Sequence, residues 1–335
     1  MDKTLTYLET GSQNPFYNLA FEEWVLTHLL EGEYLILWQN DNTIVIGQNQ
    51  NAEAEINRAF AEEHHINVVR RTTGGGAVYH DLGNLNYSFI SDFEGIDHAA
   101  LEHFSKPIVR ALAKLGVHAE TSGRNDILID GHKVSGTAQR RYKHRILHHG
   151  TLLFDANPDM IAGALRVDPE KIRAKGVQSV RSRVGNIHDY LKNDMSLYDF
   201  WRFLKEELTG LGTVSATIPS ESLEEIEALV RDKYSTWDWN FGRSPKYTLH
   251  NKRRFGGGGV EVFLTAENGI VKEISFFGDY LSVRPMAPVQ QALAGCPFRR
   301  EAVERVLSSF PLADYFGSIA LEELSDLIFH ATENE

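Results

Sequence analysis

The chain has 335 residues, 42% of them hydrophobic and 24% charged, with a formal net charge of −12 and a single cysteine, Cys296. This size suits one large unit plus a smaller one, and the acidic balance speaks against a general nucleic-acid binder, which needs a basic face. A lone cysteine excludes an internal disulfide and a multi-cysteine zinc site, and no apolar run approaches the ~18 residues that span a bilayer.

The N-terminus, MDKTLTYLETGSQNP, has no basic and then apolar leader, so a cytoplasmic protein with no membrane partner is expected. Asn14 followed by Pro15 predicts a capped helix through FYNLAFEEWVLTHLL. Tyr34–Trp38 and Thr43–Ile46 read as two strands of a hairpin joined by QNDN. Ile66–Arg70 reads as a further strand. Leu85, Tyr87 and Phe89 alternate with Asn84, Asn86 and Ser88, a strand with one polar face. A helical stretch follows from about His98 to Leu115, with Pro107 expected to break or kink it. Asp130–Gly131 between Ile127–Ile129 and His132–Ser135 predicts a tight hairpin. Thr151–Phe154 is a short strand, and helical patterns recur near 196–209 and 221–234.

Residues 243–253 lack periodicity and carry Pro, which marks a linker between a unit of residues 1–242 and one of residues 254–335. In the second unit Val260–Leu264 and Ile270–Phe277 flank Asn268–Gly269 as another hairpin, with two or three short helices after it. GGGGV at 256–260 reads as a flexible turn. Strands and helices do not alternate regularly. The expected fold is therefore α+β, a mixed or antiparallel sheet flanked by helices, with a small α/β C-terminal domain.

Charge is unevenly spread. Residues 139–183 hold ten Lys or Arg against four Asp or Glu, a net of +6, while residues 301–335 have a net of −7. A basic island in an acidic protein points to an anionic ligand or partner. Arg140, Arg141, Lys143 and Arg145 are expected to steer an acidic partner, and Lys175, Arg181 and Arg183 to lie over a phosphate-bearing ligand.

The chemistry-bearing segment is RRTTGGGAVYHDLGNLNYS, residues 70–88. Three glycines let the backbone approach a ligand, and the arginines before them suit phosphate. No Gly-Lys-Ser/Thr follows, so this is not a P-loop. In SGRNDILIDGHKVSGTAQ, residues 122–139, Lys133 lies just past the predicted turn and small residues beside it leave room for a substrate. Strand alternation puts Lys133 on the face opposite His132 and Val134. HHGTLL at 148–153 and AKGVQSVRSRV at 174–184 complete the set. The paired histidines, among them His64, His65, His148 and His149, are read as structural because no carboxylate joins them at ligand spacing.

These blocks, together with WNFGRSP at 239–245, resemble those of the lipoate–protein ligase A family in order and spacing, and GGGGVEVFLTAENGIVKEISFFGD resembles that family's small C-terminal domain. The resemblance implies a fold related to biotin–protein ligases and class II aminoacyl-tRNA synthetases. It implies that lipoate attacks ATP, with Mg2+, to give lipoyl-AMP, and that an acceptor lysine then displaces AMP. The implied acceptors are apo-lipoyl domains of 2-oxoacid dehydrogenase E2 subunits and the glycine-cleavage H protein, with lipoate or octanoate as the small molecule.

Carried onto matching positions, the implied site comprises Arg70, Arg71, Gly74, Gly75, Gly76, Ala77, Val78, Tyr79, Asn84, Asn125, Lys133, Ser135, Ala138, Lys175 and Arg181. Lys133 is the implied catalytic cation, touching both the lipoyl carbonyl and the phosphate, and metal ligands are not assigned. Val69, Val78 and Leu85 are the expected walls of an apolar slot for the lipoyl tail. Octanoyl- and lipoyl-transferases of the same fold need a cysteine nucleophile, and Cys296 lies far from the blocks. A biotin ligase calls for an Arg-rich loop where this chain has RRTTGGGA. A non-catalytic lipoate-binding protein has no use for Arg71, Lys133 and the full glycine loop together.

Overall fold

The computed structural model describes residues 5–93, 99–123, 125–166, 183–210, 214–241, 249–267 and 269–329. The chain opens with β1 (Leu5–Glu9) and α1 (Pro15–His28), whose first turn is capped by Asn14 Oδ1 on the backbone N–H groups of Phe16 and Tyr17. β2 (Glu33–Trp38), β3 (Thr43–Ile46), α2 (Ala52–Glu55), α3 (Arg58–Glu63), β4 (Asn67–Arg70), β5 (Val78–His80) and β6 (Asn84–Asp92) follow. After these come α4 (Ala99–Lys114), β7 (Ala119–Ser122), β8 (Asp126–Ile129), β9 (His132–Tyr142), β10 (Arg145–Leu153) and α5 (Pro158–Ala164). The first unit closes with α6 (Leu197–Thr209), β11 (Val214–Ser215), α7 (Ser220–Leu229) and α8 (Trp237–Asn240).

Eight strands form a mixed sheet in the order β11-β1-β2-β6-β10-β9-β8-β7, in which β11, β1 and β2 run parallel and the remaining pairs antiparallel. Central strands bury both faces. In β2, Leu35 and Leu37 join α4 and α6 in one core, while Ile36 and Trp38 join α1 and Tyr234 in another. This two-sided burial explains why β2 and β3 are not the expected hairpin. β2 takes β1 and β6 as neighbours, and β3 joins β4 and β5 in a separate three-stranded sheet. Strand propensity locates a strand but does not choose its partner.

α4 continues through Pro107 instead of breaking there. Its apolar side, with Ile108, Ala111 and Leu112, packs on the main sheet. That burial outweighs one missing backbone hydrogen bond. The Asp130–Gly131 turn has both residues at positive φ, +48° and +80°, which matches the right-handed strand twist. β9 and β10 run well beyond the short strands expected at their ends.

The second unit contains β12 (Leu249–Phe255), β13 (Gly258–Glu267) and β14 (Ile270–Gly278), followed by α9 (Ala287–Leu293), α10 (Arg300–Ser308), α11 (Leu312–Phe316) and α12 (Leu321–Phe329). Its sheet already includes 249–253, the last part of the expected linker, and four helices lie among the described residues where two or three were expected. Gly256 and Gly257 make the turn between β12 and β13, and Gly258 and Gly259 are strand residues. The unit has its own core, built on Val262, Leu264, Phe276 and Phe316.

The small unit leans on the large one through the end of β14 and the segment after it, and through Asp314 of α11. Gly278 N donates to Asn49 O (2.8 Å), Gly75 N to Tyr280 O (3.1 Å), and Arg141 N to Val283 O (2.7 Å). Asn49 Nδ2 donates to Ser282 Oγ at 2.7 Å. This segment lies directly on the glycine loop, and a Cβ on Gly74 would sit 2.6 Å from Ser282 N.

Candidate active site

A cavity of about 160 Å³ lies between the main sheet and the small β4-β3-β5 sheet. Trp38, Asn86, Thr151 and Ala138 line it from the main sheet, Val45, Val78 and His80 from the small one, and Asp279 and Leu281 from the second unit. The polar face of β6 is therefore an inward face. Asn84, Asn86 and Ser88 are all buried, while Leu85 and Tyr87 point into the opposite core.

At one end of the cavity Lys133 Nζ meets Asp126 Oδ1 at 2.7 Å, and Arg183 Nη2 meets Asp126 Oδ2 at 3.0 Å. Lys133 N also donates to Arg183 O and Gly185 N to Lys133 O, so backbone and side chains hold both cations at one carboxylate. The register between β8 and β9 shifts at Ile127/Leu128, pairing Ile127 with Ser135 and Leu128 with Lys133. This bulge re-aims Lys133 into the cavity. It also reverses the side-chain alternation, so that Gly136 and Ala138, rather than Ser135, share the cavity face with Lys133. A Cβ on Gly136 would lie 2.7 Å from Lys133 Nζ, so glycine there makes room for the ammonium.

Of the residues expected from the sequence, Arg71, Gly75, Gly76, Ala77, Val78, Asn125, Lys133 and Ala138 border the cavity. Arg70 does not. Its fully buried guanidinium is bonded to the carbonyl oxygens of Gly47, Gln50, Trp239 and Asn240, so it is a structural tie. Gly74 contacts the second unit, Tyr79 bonds Asn42 through its hydroxyl, and Asn84 and Ser135 are buried outside the cavity lining. Lys175 and Arg181 lie outside the described residues. Of the expected apolar walls only Val78 is in the lining. Val69 and Leu85 belong to hydrophobic cores, and Leu19, Trp38 and Val45 supply the apolar wall instead.

Arg71 reaches the cavity, but its donors shape the glycine loop. Nη2 bonds Gly74 O and Gly76 O at 2.7 and 2.8 Å, and Nε bonds Thr73 Oγ1. Burial pushes its pKa down to about 10, and it stays charged at neutral pH. Thr73 Oγ1 lies 2.8 Å from His149 Nε2, and His149 Nδ1 lies 2.9 Å from Glu22 Oε1. Glu22 comes from α1, a partner that spacing around the histidines could not reveal. His148, its ring nitrogen on Gln139, is held down to about 3 chiefly by burial and so is neutral.

The basic island beyond Lys133 is largely neutralised. Arg140 pairs with Glu23 at 2.9 Å, Arg141 with Asp314 at 2.9 Å, and the fully buried Arg145 with Asp92 at 2.7 Å. Arg141 also stacks over Phe93. These three cations are packed and paired, so the expected steering cluster reduces to Lys143 at the β9–β10 turn.

Sequence reasoning passed over Asp126, His149, His80 and Asn86 as cavity residues. Asp126 stood beside the singled-out Asn125, and Asn86 was marked by a polar face on an otherwise apolar strand. His149 depends on the distant Glu22. Among the described residues no group of three His, Cys, Asp or Glu converges as a metal cage.

Comparison with known proteins places these features. The family model described as Lipoyl protein ligase A/B catalytic domain matches residues 14–209, and that of the Bacterial lipoate protein ligase C-terminus matches 244–328. The chain is 41% identical over 322 residues to Lipoate-protein ligase LplJ of Bacillus subtilis, covering 94% of this chain and 97% of that one. It is 41% identical over 317 residues to Lipoate–protein ligase 1 of Staphylococcus aureus, with 94% and 97% covered. Among solved structures, P. falciparum LipL1 in complex with lipoate aligns with a TM-score of 0.73 at 25% identity, covering 91% of this chain and 94% of that chain. A lipoate-protein ligase A bound with ATP aligns with a TM-score of 0.62 at 28% identity, covering 72% and 99%.

Proposed function

The chain belongs to the lipoate–protein ligase family, and we propose that it activates lipoate with ATP to lipoyl-AMP and transfers the lipoyl group to a lysine of an acceptor lipoyl domain. The observation that carries this reading is the pair of cations, Lys133 and Arg183, held on Asp126 at the edge of a part-apolar cavity beneath the glycine loop. The carboxylate of lipoate attacks the α-phosphorus of ATP, and the bond to pyrophosphate breaks. The acceptor amine then attacks the acyl carbon, and AMP leaves. Negative charge builds on a non-bridging phosphate oxygen in the first step and on the acyl oxygen in the second. A cation fixed between those positions acts where charge develops and stabilises both transition states. Lys133 is the catalytic residue of this scheme, and Arg183 supports it. The adenylate is itself the activated intermediate, so no protein nucleophile takes part.

Gly75, Gly76, Ala77 and Val78 offer backbone and a flat apolar edge to the nucleotide, with Asn125 beside them. Leu19, Trp38 and Val45 offer the lipoyl tail an apolar wall. Arg71 holds the glycine loop in shape. The donor set fits a magnesium ion brought by the nucleotide better than a resident one. Asp126, a hard oxygen donor beside Lys133, would be the residue to hold it, since magnesium is ordinarily held by one or two carboxylates plus substrate phosphates. When bound there, magnesium would neutralise phosphate charge.

The large unit through residue 241 carries this chemistry, and the small unit from residue 249 covers the glycine loop. Acceptors of the reading are apo-lipoyl domains of E2 subunits and the H protein, in the cytoplasm. One relative was solved as a bipartite ligase with its E2 lipoyl domain, from Thermoplasma acidophilum, which supports the acceptor class. The test is ATP–pyrophosphate exchange with lipoate, octanoate or biotin. Exchange driven by lipoate and not by biotin is expected, and no exchange with any acid would overturn the reading.

A further inference from the structure

We propose that Trp239 and Asn240 of α8 are positioning residues for the glycine loop, acting through Arg70 and the loop of residues 47–50. The inference rests on the ligase reading above and adds two residues that lie outside the cavity lining.

β4 is an edge strand of its small sheet, and at Arg70 its open edge is answered by side chains. Asn240 is buried, and its Nδ2 donates to Tyr234 O at 2.7 Å and to Thr236 O at 3.0 Å. Carbonyl oxygens only accept, so the amide nitrogen must face them. Asn240 Oδ1 is thereby turned to accept from Arg70 N, at 2.8 Å. Trp239 answers the other backbone group, with Nε1 donating to Arg70 O at 2.8 Å. Lys233 Nζ sits 4.2 Å over the Trp239 ring and is paired with Glu23, so α8 is anchored from behind on α1.

With its backbone fixed, Arg70 ties α8 to a second loop. Nε and Nη2 donate back to Trp239 O and Asn240 O, both at 2.9 Å, while Nη1 donates to Gly47 O and Gln50 O at 2.8 and 2.6 Å. The planar fork of donors is what lets one side chain span both segments. Gly47 N in turn donates to Gln50 Oε1 at 2.8 Å and closes the loop. This loop is the outer support of the glycine loop. Gln48 N donates to Thr73 O at 2.8 Å, and Gly47 comes so near Gly75 that a Cβ on it would collide with Gly75 O. Arg71 braces the same glycine loop from the other side, through Gly74 O and Gly76 O. The Arg70–Arg71 pair therefore carries both braces, and α8 fixes where that pair sits.

Such a frame has a kinetic signature that a purely stabilising contact lacks. The apolar wall of Leu19, Trp38 and Val45 does not depend on it, so the grip on the acyl tail survives when the frame is loosened. What is lost is the alignment of the glycine loop with the reacting groups. A misplacement of about 1 Å caused by a distant change can cost on the order of 10²-fold in rate. A loss of this kind lowers kcat and leaves the KM for lipoate in place.

The experiment compares the full chain with Asn240→Ala, Trp239→Phe and a stability control, Phe200→Leu, in the core on the far face of the main sheet. Lipoate-dependent pyrophosphate exchange, melting curves and amide hydrogen exchange are measured on each. Asn240→Ala should lower kcat about tenfold or more with little change in the KM for lipoate, and Trp239→Phe should do the same to a smaller degree. Both should speed hydrogen exchange at residues 47–50 and 71–76. Phe200→Leu should lower Tm and leave kcat and the exchange of those amides as in the parent. The proposal is overturned if the two α8 variants lower Tm alone, or raise the KM for lipoate while kcat holds. It is also overturned if Phe200→Leu lowers kcat as much as they do. Trp239→Phe keeps the ring and decides the matter if Asn240→Ala does not fold. Absence of exchange by the parent chain would strike the ligase reading, whereas a normal parent with kinetically indifferent variants strikes only this inference.

Discussion

The two ends of β9 carry cations of the same kind and use them differently. At the start of the strand, Lys133 and the adjacent Arg183 share Asp126 at a cavity wall, with side chains 21% and 26% exposed. At the far end Arg140 and Arg141 are locked onto Glu23 and Asp314 with little exposure, and across the turn Arg145 is locked onto Asp92. The first group borders a space where a ligand's charge can enter. The second has its charge answered by the protein and holds α1, the main sheet and the small unit together. Formal charge in a sequence does not report which cations are available, because availability depends on acids that come from distant segments.

The contrast can be broken most sharply at Lys133. Lys133→Ala should cut the rate of lipoyl-AMP formation by on the order of 10²–10³, the usual cost of losing one contact to developing charge, with an unchanged melting curve. Near-normal single-turnover adenylation by the folded variant would remove Lys133 from the chemistry.

At the other end the expected loss is stability. Asp314 accepts from Arg141 through both carboxylate oxygens and from Arg284. Asp314→Ala leaves Arg141 buried without its charge partner, which costs about 3–5 kcal/mol for pairs of this type. A clear fall in Tm and easier proteolysis between the two units are expected. If Asp314→Ala kept its Tm but made acceptor transfer much more salt-sensitive, the far cluster would be a steering surface after all.

A third test uses pH. Burial alone would raise the Glu23 carboxyl, but Arg140 and Lys233 outweigh it and hold its pKa down to about 2. A carboxylate with a depressed folded pKa contributes stability that is present above its unfolded pKa, near 4.5, and is lost as pH falls toward 2. The contribution is on the order of 3 kcal/mol. Denaturation midpoints measured from pH 5 to pH 2 should fall for the parent, and Glu23→Gln should flatten that slope. Parallel slopes would show that Glu23 is not the linked group.

The smallest effect is expected at Cys296. It is half-buried in the second unit, and burial raises its thiol pKa, the opposite of an activated nucleophile. Cys296→Ser should retain full ligase activity, and a hundredfold drop would favour a cysteine transferase.

The site was legible in the sequence where local pattern decides geometry. Asn14–Pro15 specified the start of α1, and Asp130–Gly131 specified the turn that brings Lys133 to the cavity. The long block 70–88 located the glycine loop. The reading failed where partners are distant or alternation is interrupted. Nothing local shows that Arg70 is caged by carbonyls from 47–50 and 239–240, or that Arg141 meets Asp314. The bulge at Ile127/Leu128 moved Ser135 off the cavity face and put Gly136 there, a one-residue shift that no period-2 pattern contains. β2 and β3 were found as strands but paired wrongly, because their partners are chosen by the layers on either side.

The most direct test of the central claim is the chemical nature of the intermediate. The full chain is incubated with lipoate and ATP labelled on the α-phosphate, without acceptor, and then denatured. The account predicts labelled lipoyl-AMP released free from the protein, with no acyl group left on the chain, and its consumption when an apo-lipoyl domain is added before denaturation. Lipoyl carried covalently on Cys296, with no lipoyl-AMP found, would contradict it.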